Sequence, residues 1–175
     1  MTRLIALLSA ILAAAALRLV PHPPNFSPID AMALFSGAYL SRRSIALALA
    51  APLAALLLSD ALLGFYSGFW MTYLAVAAIA LIGSAALGRR SAFRVGLAAV
   101  AGSISFFLIS NFGTWALSGM YAHTSAGLVA CYTAAIPFFQ NTLAGDLFYA
   151  TLLFGGFALA EHFAPKLRAG APQPA

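Results

Sequence analysis

Long apolar stretches, separated by short polar ones, dominate this chain. The apolar runs cover about residues 4–19, 29–40, 45–65, 69–87, 95–117 and 142–160. These runs are continuous rather than alternating and are rich in Ala and Leu, which favours helices over strands. The pattern predicts an all-α polytopic membrane protein with six transmembrane helices in a single integral membrane domain, residues 1–175. The less hydrophobic segment from Tyr121 to Gln140 lies outside the six predicted spans.

The composition agrees with this architecture. Hydrophobic residues make up 63% of the chain and charged residues 7%. A soluble domain carries roughly a quarter charged residues, so a water-soluble monomer is excluded. The net charge of +5 does not indicate nucleic-acid binding, because the basic residues stand in short groups between apolar runs. The single cysteine, Cys131, excludes an intramolecular disulfide and a multi-cysteine metal site.

The basic residues predict the orientation of the chain. They occur at the N-terminus, after the second span, after the fourth span and after the sixth span, and Arg18 alone falls on the other side. The residues at these four places are Arg3, Arg42, Arg43, Arg89, Arg90, Arg94, Lys166 and Arg168. By the positive-inside tendency this side is cytoplasmic, so we expect both termini in the cytoplasm of a cell (inner or plasma) membrane protein.

The first run has a second interpretation. A basic residue, an apolar core and small residues near about residue 16 are also typical of a cleaved signal peptide. Cleavage would leave five spans and satisfy the charge pattern equally well. We interpret the run as an uncleaved first span.

Polar residues gather at the predicted outer ends of the helices. Charged groups near membrane depth are costly unless they are paired or face a water-filled cavity. The sequence therefore predicts a polar cup that binds a substrate at the outer side. Its predicted lining residues are Arg18, His22, Asn25, Asp60, Asn111, Asn141 and Asp146.

A proline-rich segment enters this cup. Residues 21–28 contain four prolines, which fix φ and make the segment stiff. Pro28 is expected to be the first residue of the second helix, with Ser27 as its N-cap. A stiff segment would pre-organise His22 and Asn25 for a ligand, or it would simply form a tight outer turn.

The outer acids allow two interpretations. Asp60 or Asp146 could pair with Arg18 and serve only to fix helix packing. Three acids nevertheless lie near the outer ends of helices against one arginine, since Asp30 is the third. This surplus of carboxylates suits a ligand with cationic or hydrogen-bond-donor groups. His22 could ligate a metal together with His123, but their spacing matches no metal motif, so no metal and no cofactor are predicted.

The first span carries small residues at a helical spacing. Ala6, Ala10 and Ala14 recur every four positions, which allows another helix to approach closely. This stripe packs the first helix inside the bundle or forms a docking face for a second protein.

Several motifs resemble those of a bacterial family of uncharacterised transport proteins. The most specific is Arg-x-x-Pro-His-Pro-Pro-Asn-Phe-Ser-Pro-Ile at residues 18–29. Others are Ala-Leu-Phe-Ser-Gly-Ala-Tyr at 33–39, Leu-Leu-Ser-Asp at 57–60, Ser-Asn-Phe-Gly-Thr-Trp at 110–115 and the segment 135–147. That family is similar in size and topology to the substrate-binding S components of energy-coupling factor (ECF) vitamin transporters.

The resemblance implies a six-helix, ECF S-component-like bundle with a cup open to the outside. It also implies that an energising module docks on the stripe of Ala6, Ala10 and Ala14, and that the ligand is a vitamin or a related micronutrient. The expected function is a membrane transporter or its substrate-binding subunit, not an enzyme. The alternatives are an intramembrane enzyme, which needs a nucleophile and base, and an assembly protein, whose polar residues would pair and leave no pocket.

Overall fold

The computed structural model describes residues 2–169, and every regular element in this range is helical. The elements are α1 (Thr2–Leu17), α2 (Ile29–Leu40), α3 (Ile45–Leu63), α4 (Phe69–Ala86), α5 (Ala92–Leu117), α6 (Ser125–Ala150), a π-helical turn (Thr151–Gly155), α7 (Gly156–Phe163) and a 3₁₀ turn (Pro165–Leu167). Helices α3, α4 and α5 and the continuous helix Ser125–Phe163 are long and apolar enough to cross a membrane. The predicted all-α class is confirmed, and the apolar helices are those of a membrane protein.

The last helix is longer than the sequence pattern predicts. It was expected to begin near residue 142, but it begins at Ser125, where the Thr124 hydroxyl accepts a hydrogen bond from the Gly127 backbone. It then continues through Pro137 as far as Phe163. Proline inside a membrane helix is tolerated when neighbouring groups satisfy the freed backbone. The segment that the sequence placed outside the spans therefore belongs largely to α6.

Two other helix boundaries and one helix cap show why the structure differs from the expected pattern. Helix α3 ends at Leu63, because Gly64 adopts a positive φ of 94° that stops the helix. Helix α5 begins at Ala92, earlier than expected, because the Ser91 hydroxyl caps its first turn. The predicted cap of α2 is wrong: Pro28 occupies the cap position, and the buried hydroxyl of Ser27 has no hydrogen-bond partner within residues 2–169.

Helix α2 forms the centre of the bundle. Eleven of its 12 residues are buried and only Tyr39 is partly exposed. It contacts α1, α3, α4, α5 and α6. Its length is about 18 Å at 1.5 Å per residue. This is well short of the roughly 30 Å hydrocarbon core of a bilayer, so α2 does not cross a membrane alone.

Two glycines bring α2 and α4 into backbone contact. A Cβ atom on Gly37 would lie 1.9 Å from the carbonyl oxygen of Ala80 in α4. Conversely, a Cβ atom on Gly83 would lie 2.3 Å from the carbonyl oxygen of Leu34 in α2. Neither position can hold a side chain without moving a helix backbone.

The basic segments meet at one end of the bundle. Arg3 forms an ion pair with Glu161 at 2.7 Å, which joins the start of α1 to α7. Arg42, in the α2–α3 turn, donates to the Gly88 carbonyl in the α4–α5 turn at 2.9 Å. Arg168 donates to the Glu161 carbonyl at 2.9 Å. The predicted clustering of these four chain segments at one end is therefore observed.

The alanine stripe of α1 faces the bundle and not the lipid. Ala14 is buried, and Ala6 and Ala10 are partly buried against the core. The exposed face of α1 carries larger residues, including Ile5 and Leu12. The close approach that small residues allow is used by α2 and α3, which contact α1. The stripe is thus explained by internal packing and gives no support to an external docking partner.

Replacing Gly37 by alanine should destabilise the protein, because the added methyl group meets the Ala80 carbonyl. Overpacking of this kind costs about 1–3 kcal/mol. Gly96→Ala is the matched control, since a Cβ atom there meets nothing within 4 Å. Alanine in a helix interior is otherwise favoured over glycine by about 0.5–1 kcal/mol. Thermal unfolding of both purified variants in detergent should show a lower midpoint for G37A than for the wild type. The midpoint of G96A should be equal to that of the wild type or higher. Equal midpoints would contradict the close packing of α2 on α4.

The predicted orientation can be measured by cysteine labelling of intact cells in a Cys131→Ala background. A membrane-impermeant maleimide should label Ser67→Cys, which lies in the α3–α4 turn. It should label Ser91→Cys, in the turn at the basic end, only after the membrane is permeabilised. The reverse order of labelling would overturn the cytoplasmic placement of the basic end.

Candidate functional site

At the end of the bundle away from the basic segments, one ion pair joins α1 to α3. The Arg18 guanidinium, which follows α1, lies 2.7 Å from Oδ1 of Asp60 and also donates to the Ser59 hydroxyl. Tyr73 donates its hydroxyl to Oδ2 of Asp60 at 2.9 Å. The Asp60 side chain is 2% exposed, and both of its oxygens are satisfied. Asp60 is therefore the acid that pairs with Arg18, one of the two pairings that the sequence allowed.

Two other acids lie together inside the bundle. Asp30, in the first turn of α2, and Asp146, in α6, are both buried and line the same cavity. Ser103 in α5 donates to Asp146. Two buried carboxyl groups at one site repel each other when both are ionised, so the site favours a proton or a cationic group beside them. Oδ1 of Asp30 has no partner among the described residues.

A cavity of about 350 Å³ opens beside these acids. Its wall combines charged, hydroxyl and aromatic groups from the end of α1, the proline-rich segment, α2, the α3–α4 turn, α4, α5 and α6. The lining includes Arg18, His22, Asn25, Ser27, Asp30, Tyr66, Thr72, Phe106, Thr142 and Asp146. A second cavity of about 310 Å³ shares Asn25, Tyr66, Thr72, Phe106 and Thr142 and adds Asn111. The shared walls make the two cavities neighbours in one cup at this end of the bundle.

The proline-rich segment rests directly on α6. Asn141 donates its side-chain amide to the Pro24 carbonyl at 3.0 Å. A Cβ atom on Gly145 would lie 3.1 Å from Cα of Phe26. The Phe26 ring packs 5.5 Å from the Tyr149 ring, measured between centroids. These contacts hold the segment against α6 where it forms one wall of the cup.

The predicted site residues converge at this end of the bundle, but they have different environments. Arg18, His22, Asn25 and Asp146 line the first cavity, and Asn111 lines the second. Asp60 and Asn141 line neither: Asp60 lies behind Arg18, and Asn141 fastens the proline-rich segment.

Sequence reasoning left several lining residues out of the predicted site. Asp30 had a usable signal, because it is the one charged residue in the otherwise apolar α2 and directly follows Pro28 and Ile29. Thr72 and Thr142 had none, since a single threonine inside an apolar run is common. Tyr66 had a weak signal, because tyrosine between two apolar runs is also typical of the membrane interface.

His123 and Cys131, which the sequence analysis also named, lie outside the cup. The His123 ring packs 5.6 Å from the Trp115 ring, and the Trp115 indole donates to the Ala122 carbonyl. Cys131 is buried, with its thiol directed at the Asn111 carbonyl at 3.4 Å. Within residues 2–169, no three His, Cys, Asp or Glu side chains form a group that could hold a metal ion.

Removing Arg18 should destabilise the bundle, because Asp60 would be left as an unpaired buried charge. Breaking a buried pair on one side costs about 3–5 kcal/mol. We expect Arg18→Met alone to lower the unfolding midpoint more than the double change with Asp60→Leu. Thermal unfolding of the two single variants and the double variant measures the coupling between the two residues. Additive effects in this cycle would show that the ion pair does not fasten α1 to α3.

Comparison with known proteins adds one relationship. No curated protein and no solved structure matches the chain. One family of proteins matches residues 1–167, which is nearly the whole length. The chain therefore belongs to DUF6580, a family of unknown function.

Proposed function

We propose that this protein is a membrane transporter, or the substrate-binding subunit of one, that captures a small vitamin-like micronutrient from the outer side. The observation that carries the proposal is the cavity of about 350 Å³ whose wall includes the two buried acids Asp30 and Asp146. The outer side follows from the positive-inside tendency, because the cup lies opposite the basic end.

The size of the cup suits one small molecule. Ligand sites are clefts of about 300–1,000 Å³ with mostly apolar walls and a few converging polar groups. The two neighbouring cavities, of about 350 Å³ and 310 Å³, lie within this range. Phe106 and Tyr66 offer aromatic surface in both, while Asn25 and Thr142 offer polar groups. A ligand with a flat apolar part and several polar atoms would match this wall.

The charge of the cup favours a ligand with hydrogen-bond donors or a positive charge. Asp60 already neutralises Arg18, so the acid pair of Asp30 and Asp146 determines the net charge of the wall. A buried acceptor without a partner costs about 1–3 kcal/mol. A donor group of the ligand that reaches the Asp30 carboxyl group would give this acid a hydrogen-bond partner and reduce this cost.

The alternative functions receive less support from the same residues. An assembly protein should pair its outer polar groups with one another, which Arg18 and Asp60 do. The unpartnered oxygen of Asp30 and the cavity beside it do not fit that function. An intramembrane enzyme needs a nucleophile beside a base. The described polar contact of the His22 ring is with the carbonyl of its neighbour Pro23, which offers no such pair.

The chain itself shows no means of using ATP to drive transport. The sequence carries no Walker motif, so ATP-driven transport would need partner subunits. The inward alanine stripe of α1 does not provide their docking face. A similarity to ECF S components therefore rests on the size, the helix count and the outer cup, and the docking of an energising module stays a prediction.

Native mass spectrometry of the detergent-purified protein should detect a co-purifying small molecule. A thermal-shift screen against vitamins and other small cationic or donor-rich compounds should then identify the ligand class. In the Asp146→Asn variant we expect at least tenfold weaker binding, because Asp146 lines the cavity and the amide no longer offers a carboxylate to a donor group of the ligand. Glu161→Gln is the matched control, since it makes the same change at the basic end, away from the cup.

Binding that is unchanged in D146N would exclude the acid pair as the recognition element. The absence of any co-purifying molecule, together with no shift across the screen, would contradict the proposed function itself. Unfolding midpoints of D146N and of the control separate a loss of binding from a loss of fold.

A further inference from the structure

A second concave surface lies at the basic end, on the lipid-facing side between α5 and the last helix. It is a groove of about 270 Å³, on the outside of the bundle and separate from the outer cup. Val95 and Gly96 of α5 form one wall, and Leu147, Phe154 and Ala158 form the other. Most of the wall is apolar, and the Thr151 hydroxyl is already satisfied by the Leu147 carbonyl at 2.7 Å.

The groove coincides with an irregularity of the helix. The π-helical turn Thr151–Gly155 lies between α6 and α7, and both ends of this turn line the groove. Such turns are rare and frequently occur at functional sites. Gly155 belongs to the turn and Gly96 faces it from α5, and at both positions a Cβ atom would meet nothing within 4 Å. The open space at these glycines is therefore not needed for helix packing.

A fixed arginine marks the polar end of the groove. The Arg90 guanidinium stacks 4.2 Å from the centroid of the Tyr39 ring, and both residues line the groove. One of its nitrogens donates to the Ala38 carbonyl at 3.1 Å. A guanidinium has five N–H donors, so most of them stay available. Arginine held in this way is well suited to bind a phosphate group in two-pronged fashion.

The surrounding charge favours an anion. Arg42, Arg43, Arg89 and Arg94 lie in the two turns at this end of the bundle or next to them. Glu161, the acid described at this end, is already paired with Arg3 at 2.7 Å. Basic pockets between membrane helices on the cytoplasmic side bind the head groups of anionic lipids.

We propose that the groove binds one anionic phospholipid of the leaflet at the basic end. The lipid phosphate would contact Arg90, and a segment of an acyl chain would lie between Val95 and Phe154 across the open space at Gly155. This lipid site is independent of the outer cup and of the transport proposal.

The test uses the full chain, reconstituted with equal amounts of phosphatidylglycerol and phosphatidylcholine that carry the same acyl chains. Native mass spectrometry then measures which lipid the protein retains. We expect wild-type protein to retain phosphatidylglycerol about fivefold more than phosphatidylcholine, the preference that one arginine near the surface provides.

Two pairs of variants separate the head-group contact from the chain contact. Arg90→Gln should lose the preference for phosphatidylglycerol, while Arg89→Gln, a neighbour that does not line the groove, should keep it. Gly155→Leu should fill the groove and reduce retention of both lipids at least fivefold. Gly156→Leu adds the same side chain at an equally open position outside the groove and should leave retention unchanged.

Equal retention of the two lipids by the wild type would overturn the proposal. It would also be overturned if G155L and G156L retained lipid alike. The same holds if the mass spectrum showed a protein dimer in place of the lipid-bound monomer, and this dimer were lost in G155L. Unfolding midpoints of all four variants in detergent guard against misfolding. If R90Q unfolds, Arg90→Lys keeps the charge without the two-pronged geometry and should keep part of the preference.

Discussion

The short central helix α2 constrains the rest of the molecule. Its 12 residues rise by about 18 Å, while the hydrocarbon core of a bilayer is about 30 Å thick. The remaining depth on the side away from the basic end must be covered by the proline-rich segment. Irregular backbone at membrane depth is tolerated only where protein buries it or water reaches it. The segment is seated on α6 on one side and borders the cavity on the other, so the cup is a direct consequence of a helix that begins late.

The sequence was sufficient for the parts of the fold that depend on apolar content and on where the basic residues stand between the apolar runs. It predicted the helical class and the convergence of the basic segments at one end. It failed where a partner on another helix decides the structure. The local hydropathy is lowered by Pro137, Gln140 and Asn141. The sequence pattern therefore places the first half of α6 outside the predicted spans. The Asn141 side chain, however, is occupied by the Pro24 carbonyl, more than 100 positions away. Similarly, the spacing of Ala6, Ala10 and Ala14 indicates close packing but not which helix approaches.

The same distinction applies to the site. The hydropathy pattern indicates how deep each residue lies along its helix. On that basis Arg18, Asp60 and Asp146 were predicted at the end of the bundle where the cup is found. The pairing could not be read, because three acids at similar depth are equivalent until the helices are arranged around α2. Asp60 lies in α3, where Arg18 and Tyr73 reach it, and it becomes a structural group. Asp146 instead lies beside Asp30 at the cavity, and this position follows only once the helices are arranged around α2.

Helix α2 also connects the two concave surfaces. Asp30 in its first turn borders the cup, and Tyr39 near its last turn lines the groove at the basic end. The backbone contacts at Gly37 and Gly83 leave little space for α2 to slide along α4. The distance between the two surfaces is therefore fixed by one rigid element and not by flexible connections. A change that displaces α2 would alter the acid pair and the Arg90 stack together, whereas changes in α3 or in the α3–α4 turn would reach the cup alone.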